Sequence, residues 1–296
     1  MIDRKPLDAT AFSLMVLLTA LWGFQQVTIK VAAPDVSLVM QAAIRSIVAA
    51  TLLLGWARLR GIALSGRDGT LWPGIGAGLL FGGEFIFIYA GLAYTTASRM
   101  IVFIYLTPPL TALGLHWFVP GERLSLRQWA GVLLAFAGVF LAFAEGFSSA
   151  GGATALGDLF GVIAAVMWAA TTVLIRASGL ARITATKTLF YQLAVSAAIL
   201  LAASILMGEP GIVRASPIAF ASLAYQGAIV AFASYLVWFW LLTRYLATRL
   251  AVFSFLAPMF GVLFGVALLS EALTALFAGA ALLVGSGIVL VNMRAR

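Results

Sequence analysis

The sequence contains no cysteine and only one histidine among its 296 residues. Without cysteine the chain can form neither a disulfide nor a thiolate metal site. The lone histidine, His116, lies near the end of an apolar segment, where a polar helix end explains it more simply than metal ligation. We therefore predict no metal and no cofactor.

Several motifs of nucleotide binding and catalysis are also missing. The chain has no GxxxxGKS phosphate-binding loop, no HExxH and no GxSxG. Its glycine-rich run GIGAGLLFGG, residues 74–83, lies inside an apolar segment, where small residues let helices pack closely. ATP-driven transport by this chain alone and enzymatic activity are therefore not expected.

Charge is scarce, with 9% charged against 63% hydrophobic residues. A soluble chain of this length needs more polar surface, whereas a helix crossing a bilayer needs about 20 apolar residues. Ten such segments lie at approximately 12–33, 37–57, 73–94, 97–119, 128–145, 157–177, 184–207, 216–241, 247–269 and 273–292. They are continuously apolar rather than alternating, which favours helices over barrel strands. The sequence predicts an all-α membrane protein with ten transmembrane helices in the lipid bilayer.

The net charge of +8 is a signal of topology rather than of nucleic-acid binding. If the N-terminus is cytoplasmic, the outer loops hold only Lys30, Arg99 and Arg214, and almost all other basic residues lie inside. This bias predicts that both termini are cytoplasmic. Arg4 and Lys5 precede an apolar stretch, as in a signal peptide, but the stretch is long enough to span and the charge asymmetry requires it to stay.

One phrase occurs twice, as ASRMIVFIYLTP from Ala97 to Pro108 and as ATRLAVFSFLAP from Ala247 to Pro258. An offset of about 146 to 150 residues also relates other positions of the two halves, which are residues 1–147 and 148–296. The related pairs are Trp22 with Trp168, Lys30 with Arg176, Glu122 with Glu271, and Gly138 with Gly287. Five segments per half is an odd number, which predicts an inverted 5+5 repeat around a central cavity. A duplication kept only for packing is the alternative.

Three stretches carry a resemblance to a known family. They are Trp22–Gly23, the repeated phrase, and PGERLSLRQWAGVLLAFAGV from Pro120 to Val139, which has a weaker copy from Ser270 to Val289. The sequence resembles the drug/metabolite transporter superfamily, in its ten-helix branch with two EamA-type repeats. Within that branch it looks most similar to the YddG-type exporters of aromatic amino acids. The resemblance implies that helices one to four and six to nine surround the cavity, and that the protein acts in the bacterial inner membrane.

Two charges lie inside apolar segments, Arg45 in the second and Glu84 in the third. A charge at the centre of a spanning helix costs at least about 2.5 kcal/mol, so each needs a partner or a role. One interpretation is a structural ion pair between the two helices. The other is recognition of a zwitterion, with Arg45 facing a carboxylate and Glu84 facing an ammonium.

Polar and aromatic residues deep in the segments complete the predicted substrate site. They are Trp22, Gln25, Gln41, Trp168, Tyr191, Gln192, Tyr235 and Trp238. Aromatic rings suit an aromatic substrate or an ammonium, although a membrane Trp or Tyr is commonly an interface anchor. Pro108 and Pro258 lie within segments four and nine as candidate hinges, or as static bends.

The predicted function is a secondary transporter that exports aromatic or hydrophobic amino acids and related amphipathic metabolites by alternating access. The alternatives are a broad-specificity exporter of drugs, a permease for another polar metabolite, and a non-transporting membrane protein. Proton antiport through Glu84 and uncoupled exchange both stay open. The fifth and tenth segments suit lipid and a protein partner equally, so a monomer is one of the outcomes.

Overall fold

The computed structural model describes residues 7–66, 68–148, 155–270 and 276–293. The described chain is helical, and short turns join the helices. The helices are α1 Ala9–Ala32, α2 Leu38–Leu59, α3 Leu71–Leu92, α4 Ala97–Ile104, α5 Thr107–Phe118, α6 Leu126–Ala142, α7 Glu145–Ser148, α8 Ala155–Ala177, α9 Ala185–Leu206, α10 Pro217–Ala224, α11 Tyr235–Arg244, α12 Ala247–Ala251, α13 Leu256–Leu269 and α14 Phe277–Asn292. A π-helix, Tyr225–Ser234, joins α10 to α11, and 3-10 helices occupy Gly179–Arg182 and Val252–Phe255.

The described helices give eight candidate membrane spans by length and apolarity. The fourth span combines α4 and α5, the seventh runs from α10 to α11, and the eighth runs from α12 to α13. The predicted fifth and tenth segments correspond to α6 and α14, which are apolar but only 17 and 16 residues long. The prediction of ten spanning helices is therefore supported for eight, with two shorter apolar helices beside them.

Side-chain caps mark where several helices begin. Asp8 accepts a hydrogen bond of 2.9 Å from the Ala11 amide at the start of α1. Ser125 and Gln128 form a reciprocal capping box at the start of α6. Ser216 accepts from the Ala219 amide directly ahead of Pro217, whose missing N–H costs nothing in a first helical turn. These caps satisfy the amide groups that a helix start leaves unpaired.

Both copies of the repeated phrase interrupt their helix. In the first copy the chain turns at Tyr105 and Leu106 and restarts with Pro108 in the first turn of α5. Proline has no N–H for the carbonyl of Ile104, and the hydroxyl of Thr107 donates to that oxygen at 2.6 Å. In the second copy a 3-10 segment precedes Pro258, which lies near the start of α13.

The helix pairing is preserved when the two halves are exchanged. The span α1 packs on α13, and its counterpart α8 packs on α5. Helix α2 packs on α9 and α6 packs on α14, and each of these pairs joins one member from each half. Within the α6–α14 pair, a Cβ added to Gly287 would lie 2.5 Å from the carbonyl oxygen of Gly131, so glycine permits this close approach.

The bundle has two ends, which we name by their residues. The N-terminal face is the end where Asp8, Glu122 and Tyr245 lie, and the far face is the end where Asp35 and Arg214 lie. A large buried cluster extends along α6 and α14 and reaches the N-terminal face. It joins α1, α5, α6 and the segments that flank Tyr245, and it includes Leu115, Val119, Leu250, Phe253 and Phe255. Helices α5 and α12 are in contact within this cluster.

Candidate functional site

Arg45 is a buried cation that forms no salt bridge with any residue the structure describes. It is the eighth residue of α2, about 10 Å along the helix from its first residue, and it is 2% exposed. Its Nε and one Nη atom have no hydrogen-bond partner, and in the described part of the chain no acidic side chain forms a salt bridge with it. The guanidinium carbon instead lies 4.2 Å from the ring centroid of Phe85.

Glu84 lies on α3 beside Phe85 and is 4% exposed. Its Oε2 atom has no hydrogen-bond partner among the described residues. Arg45 lies close enough for its charge to act on Glu84, yet no direct salt bridge joins them in the described residues. The two charges therefore lie near each other without a contacting ion pair among the described residues, and both groups keep unused hydrogen-bonding capacity.

Aromatic rings connect these charges to three of the predicted tryptophan and tyrosine residues. The Phe85 ring lies 5.3 Å from Phe81, and Phe81 lies 6.0 Å from Tyr235. Trp22 then lies 6.2 Å from Tyr235 and 5.8 Å from Trp238, with edge-on geometry in both cases. Edge-on rings at these separations are favourable contacts. The first, second, third and seventh spans thus meet around one site.

Ser234 fixes the ring of Trp22 in this site. The indole Nε1 of Trp22 donates a 2.9 Å hydrogen bond to the Ser234 hydroxyl, which itself donates to the carbonyl of Val230. Ser234 ends the π-helix, and the next residue, Tyr235, begins α11. Local π-helical turns often occur at functional sites because they re-aim the side chains that follow.

Trp168 lies near the same site and contacts the ring of Tyr105. Their rings are 6.3 Å apart, and the Tyr105 ring lies 6.2 Å from that of Phe255. Tyr105 stands at the break between α4 and α5. We call the group formed by Trp22, Phe81, Phe85, Tyr235 and Trp238 the aromatic site. Residues of both halves border it.

Gln41 and Tyr191 do not join this cluster. The amide nitrogen of Gln41 donates to the carbonyls of Val36 at 2.9 Å and Ile29 at 3.3 Å, and its oxygen accepts from Gln226 at 3.0 Å. These bonds use the hydrogen-bonding groups of the Gln41 amide to join helices, so the amide is not free to bind a substrate. The Tyr191 hydroxyl lies 3.5 Å from that of Thr70, near the N-terminal face.

The two other predicted amides are buried. Gln25 is 5% exposed on α1, three residues from Trp22. Gln192 is 4% exposed on α9, and its Oε1 atom has no hydrogen-bond partner among the described residues. An unpartnered buried amide oxygen is costly, which makes Gln192 a further candidate for polar contact with a ligand.

Several residues of the site were not predicted from the sequence. They are Phe81, Phe85, Tyr89, Tyr105, Ser234 and Phe255. A spacing of four residues places Phe81, Phe85 and Tyr89 on one side of α3, next to Glu84. This four-residue spacing could have predicted these aromatic residues from the sequence, because side chains close to a buried charge on the helix surface are buried with it.

A buried ionic network lies at the N-terminal face. The Glu122 carboxylate accepts hydrogen bonds from Arg176, from the amides of Ala247 and Thr248 at 3.1 Å each, and from the Thr248 hydroxyl at 3.0 Å. The side chains of Glu122 and Arg176 are 0% and 2% exposed. Glu122 lies at the start of α12, where the helix dipole favours an anion. The network joins the segment before α6, the end of α8 and the start of α12.

A second, more exposed pair lies on the same face. The Lys187 amine donates to the Asp68 carboxylate at 2.6 Å, and the Thr70 hydroxyl donates to the same carboxylate at 2.6 Å. These bonds, chiefly the one from Lys187, lower the pKa of Asp68 to about 2. At the far face the Ser216 hydroxyl and then Arg214 donate hydrogen bonds to Asp35 and lower its pKa as well. These pairs stabilise loops and lie away from the aromatic site.

The two prolines predicted as hinges lie where helices restart. Pro108 and Pro258 are both buried in the first turns of restarted helices, α5 and α13. In the described residues no group of three or more His, Cys, Asp or Glu side chains could hold a metal ion. What the central arrangement offers chemically is one cation, one carboxylate and several ring faces in an apolar bundle.

Comparisons with known proteins place this arrangement in a family. The sequence matches the model of the EamA-like transporter family twice, at residues 10–144 and again at 155–293. A protein of Archaeoglobus fulgidus described as an uncharacterized transporter is 27% identical over 265 residues, covering 87% of this chain and 89% of its own length. The uncharacterized transporter YvbV of Bacillus subtilis is 26% identical over 206 residues, covering 70% of this chain and 66% of its own.

A solved crystal structure of another protein has the same fold. It superposes with a TM-score of 0.77, covering 95% of this chain and 98% of its own, at 24% sequence identity. None of the three descriptions names a substrate. Because the family matches cover most of the sequence, the chain is a multi-pass membrane transporter that belongs to the EamA-like family of the drug/metabolite transporter superfamily.

Proposed function

We propose that this transporter exports aromatic or hydrophobic amino acids and related amphipathic metabolites. The observation that carries the proposal is the pair of buried, unsatisfied charges, Arg45 and Glu84, next to a group of aromatic rings. A zwitterionic amino acid carries the two complementary charges on one carbon atom. Its carboxylate suits the forked donors of Arg45, and its ammonium suits Glu84.

The rings supply the specificity for an apolar side chain. Trp22, Tyr235 and Trp238 form one edge-on group, and Phe81 and Phe85 connect it to the two charges. A flat aromatic side chain gains both buried area and ring contacts there, worth roughly 0.5–1.5 kcal/mol for each ring pair beyond burial. Gln25 and Gln192 can add polar contacts to the substrate. Gln41 instead bonds to neighbouring helices, and Tyr191 lies at the N-terminal face.

Alternating access by an inverted 5+5 repeat is the proposed mechanism. Its support is that the family model matches twice, and that exchange of the two halves preserves the helix pairing. Each half, 1–147 and 148–296, holds five apolar segments, so the second enters the membrane from the opposite side. Such repeats alternate around a site near the midplane. The helix breaks at Pro108 and Pro258 are the proposed hinges.

The proposed location is the bacterial inner membrane with both termini cytoplasmic. The support is the concentration of lysine and arginine on one side of the predicted topology. The N-terminal face is then the cytoplasmic face, and substrate leaves at the far face. The resemblance to YddG-type exporters agrees with this direction, and one chain holds the whole site, so a monomer suffices.

Transport by the purified protein in lipid vesicles tests the proposal. We expect vesicles to take up radiolabelled phenylalanine and tryptophan, and not a neutral compound that is not an amino acid. Replacing Arg45→Gln should lower this uptake at least tenfold, because the carboxylate loses its charged donor. The matched control is Arg60→Gln, an exposed arginine at the end of α2, which should transport normally. Absence of uptake of any amino acid by the unmodified protein would end the proposal.

A second candidate is export of lipophilic cations, as in a broad-specificity drug exporter. Glu84 and the surrounding rings would suit an organic ammonium without a carboxylate. Such a substrate has no use for Arg45, which would repel it. Uptake of a lipophilic cation that survives or improves in Arg45→Gln would favour this candidate over amino acids.

A further inference from the structure

We propose that Glu84 is a proton-binding site, and that a proton and the substrate's ammonium occupy it in turn. Export of one zwitterion would then be coupled to uptake of one proton. This inference rests on the proposed function for its substrate, but the proton site itself can be tested without any substrate.

The first support is the burial of the Glu84 carboxyl group. It is 4% exposed, and its Oε2 atom has no hydrogen-bond partner in the described part of the chain. An ionised carboxylate with an oxygen that no donor satisfies is expensive in an apolar interior, and taking up a proton removes that cost. The neutral acid is therefore the favoured form when the site holds no substrate.

The second support is the set of charges around Glu84. Helix α3 packs against α2, α4, α8 and α9. The cation near Glu84 is Arg45 of α2, whose guanidinium lies over the Phe85 ring rather than on the carboxylate. The other ionised groups on these helices lie near helix ends. Arg99 pairs with Asp158, Arg176 pairs with Glu122, and Lys187 pairs with Asp68. Arg58 is exposed in the last turn of α2, and the remaining titratable groups near the site are the tyrosines Tyr89, Tyr105 and Tyr235.

The third support is the charge balance when substrate binds. The substrate carboxylate neutralises Arg45, and its ammonium then needs an anion, which only ionised Glu84 supplies at this site. Binding therefore breaks the O–H bond of the Glu84 acid, leaves the electron pair on the carboxylate, and releases one proton to water on the loading side. Reprotonation from the other side displaces the ammonium. A proton gradient directed into the cell would thus drive export.

Proton release on binding is the direct test. Purified protein in weakly buffered detergent solution, with a pH indicator, receives phenylalanine or tryptophan. We expect close to one proton released per bound substrate, and apparent affinity that weakens up to about tenfold per pH unit on the acid side. Glu84→Asp should retain release. Glu84→Gln should show none and bind with affinity independent of pH. Glu145→Gln, which changes an exposed carboxylate on α7, should release protons like the unmodified protein.

An infrared measurement isolates the proton site. Without substrate at neutral pH, the carbonyl stretch of a protonated carboxylic acid should appear in the unmodified protein and be lost in Glu84→Gln. Substrate binding without proton release, at an affinity unchanged with pH, would overturn the inference and leave amino-acid export standing. Lack of the infrared band would overturn it as well. A band that persists in a protein that binds no amino acid would support the proton site and end the proposed substrate class.

Discussion

The rings of Tyr105 and Phe255 lie 6.2 Å apart, and the two residues hold the same position in the two copies of the repeated phrase. Each stands where its helix is interrupted, before Pro108 or Pro258. Phe255 belongs to the large buried cluster, and Tyr105 packs against that cluster. Tyr105 also contacts Trp168, so the pair joins the two copies of the phrase at the edge of the aromatic site.

Phe255 should be the more costly member of this pair to remove. It is fully buried, so Phe255→Ala leaves a cavity and should lower the free energy of unfolding by about 3–5 kcal/mol. Tyr105→Phe removes a hydroxyl and no ring, and should cost well under half of that. Chemical unfolding in detergent measures both variants. Equal losses would mean that Phe255 does not pack as the structure describes.

Arg45 should lower the free energy of unfolding while it contributes to substrate binding. Replacing this buried, unpaired cation with Arg45→Met should raise the unfolding free energy, on the order of 1–3 kcal/mol, because no charge need be desolvated. The same change should abolish amino-acid transport. Unfolding and vesicle transport on one preparation check both effects. A large loss of stability would instead identify Arg45 as a structural residue.

The long apolar segments and the two charges within them could be predicted from the sequence. A charge in an apolar helix is conspicuous, and both Arg45 and Glu84 are buried as expected. The partners of the charges could not be predicted in the same way. Phe85 and Tyr105 are aromatic residues in apolar helices, and the sequence alone does not distinguish such residues at a site from those that face lipid.

The depth and direction of polar side chains also depend on tertiary packing. Gln41 appeared available for a substrate, but it bonds to Val36 and Gln226, and Gln226 is distant in sequence. Tyr191 lies on α9 next to Gln192, and one helical step turns its ring toward Thr70 instead. Neighbouring residues on a helix point about 100° apart, so the helix orientation decides which one faces the site.

Glu122 should be a strong determinant of stability. Glu122→Gln removes the anion that pairs with buried Arg176, and leaving that cation unpaired should cost about 3–5 kcal/mol. Thr248→Val removes one hydroxyl bond to the same carboxylate and should cost about 1 kcal/mol. Thermal unfolding in detergent separates the two. A Glu122→Gln protein as stable as Thr248→Val would show that the network adds little beyond single hydrogen bonds.

Stability should fall in acid through Asp68. The bond from Lys187 lowers the folded-state pKa of Asp68 from 3.8 to about 2, so the unfolded chain binds this proton more readily. The stabilisation is therefore complete above about pH 4 and disappears as the pH falls toward 2. Asp35 contributes in the same direction, chiefly through Ser216 and also through Arg214. Unfolding midpoints between pH 6 and pH 2 should fall less steeply in Asp68→Asn, and an unchanged slope would contradict the assignment.

Gly287 and Gly285 offer a matched pair on α14. A Cβ at Gly287 would lie 2.5 Å from the Gly131 oxygen, whereas a Cβ at Gly285 would meet nothing within 4 Å. Gly287→Ala must push α14 away from α6 and should lower thermal stability, whereas Gly285→Ala should be neutral or slightly stabilising, because alanine favours the helix. Since α6 and α14 contribute no residue to the aromatic site, the folded fraction of Gly287→Ala should still transport. Loss of transport per folded molecule would mean that the α6–α14 pair takes part in the transport cycle, because packing alone would change only how much protein is folded.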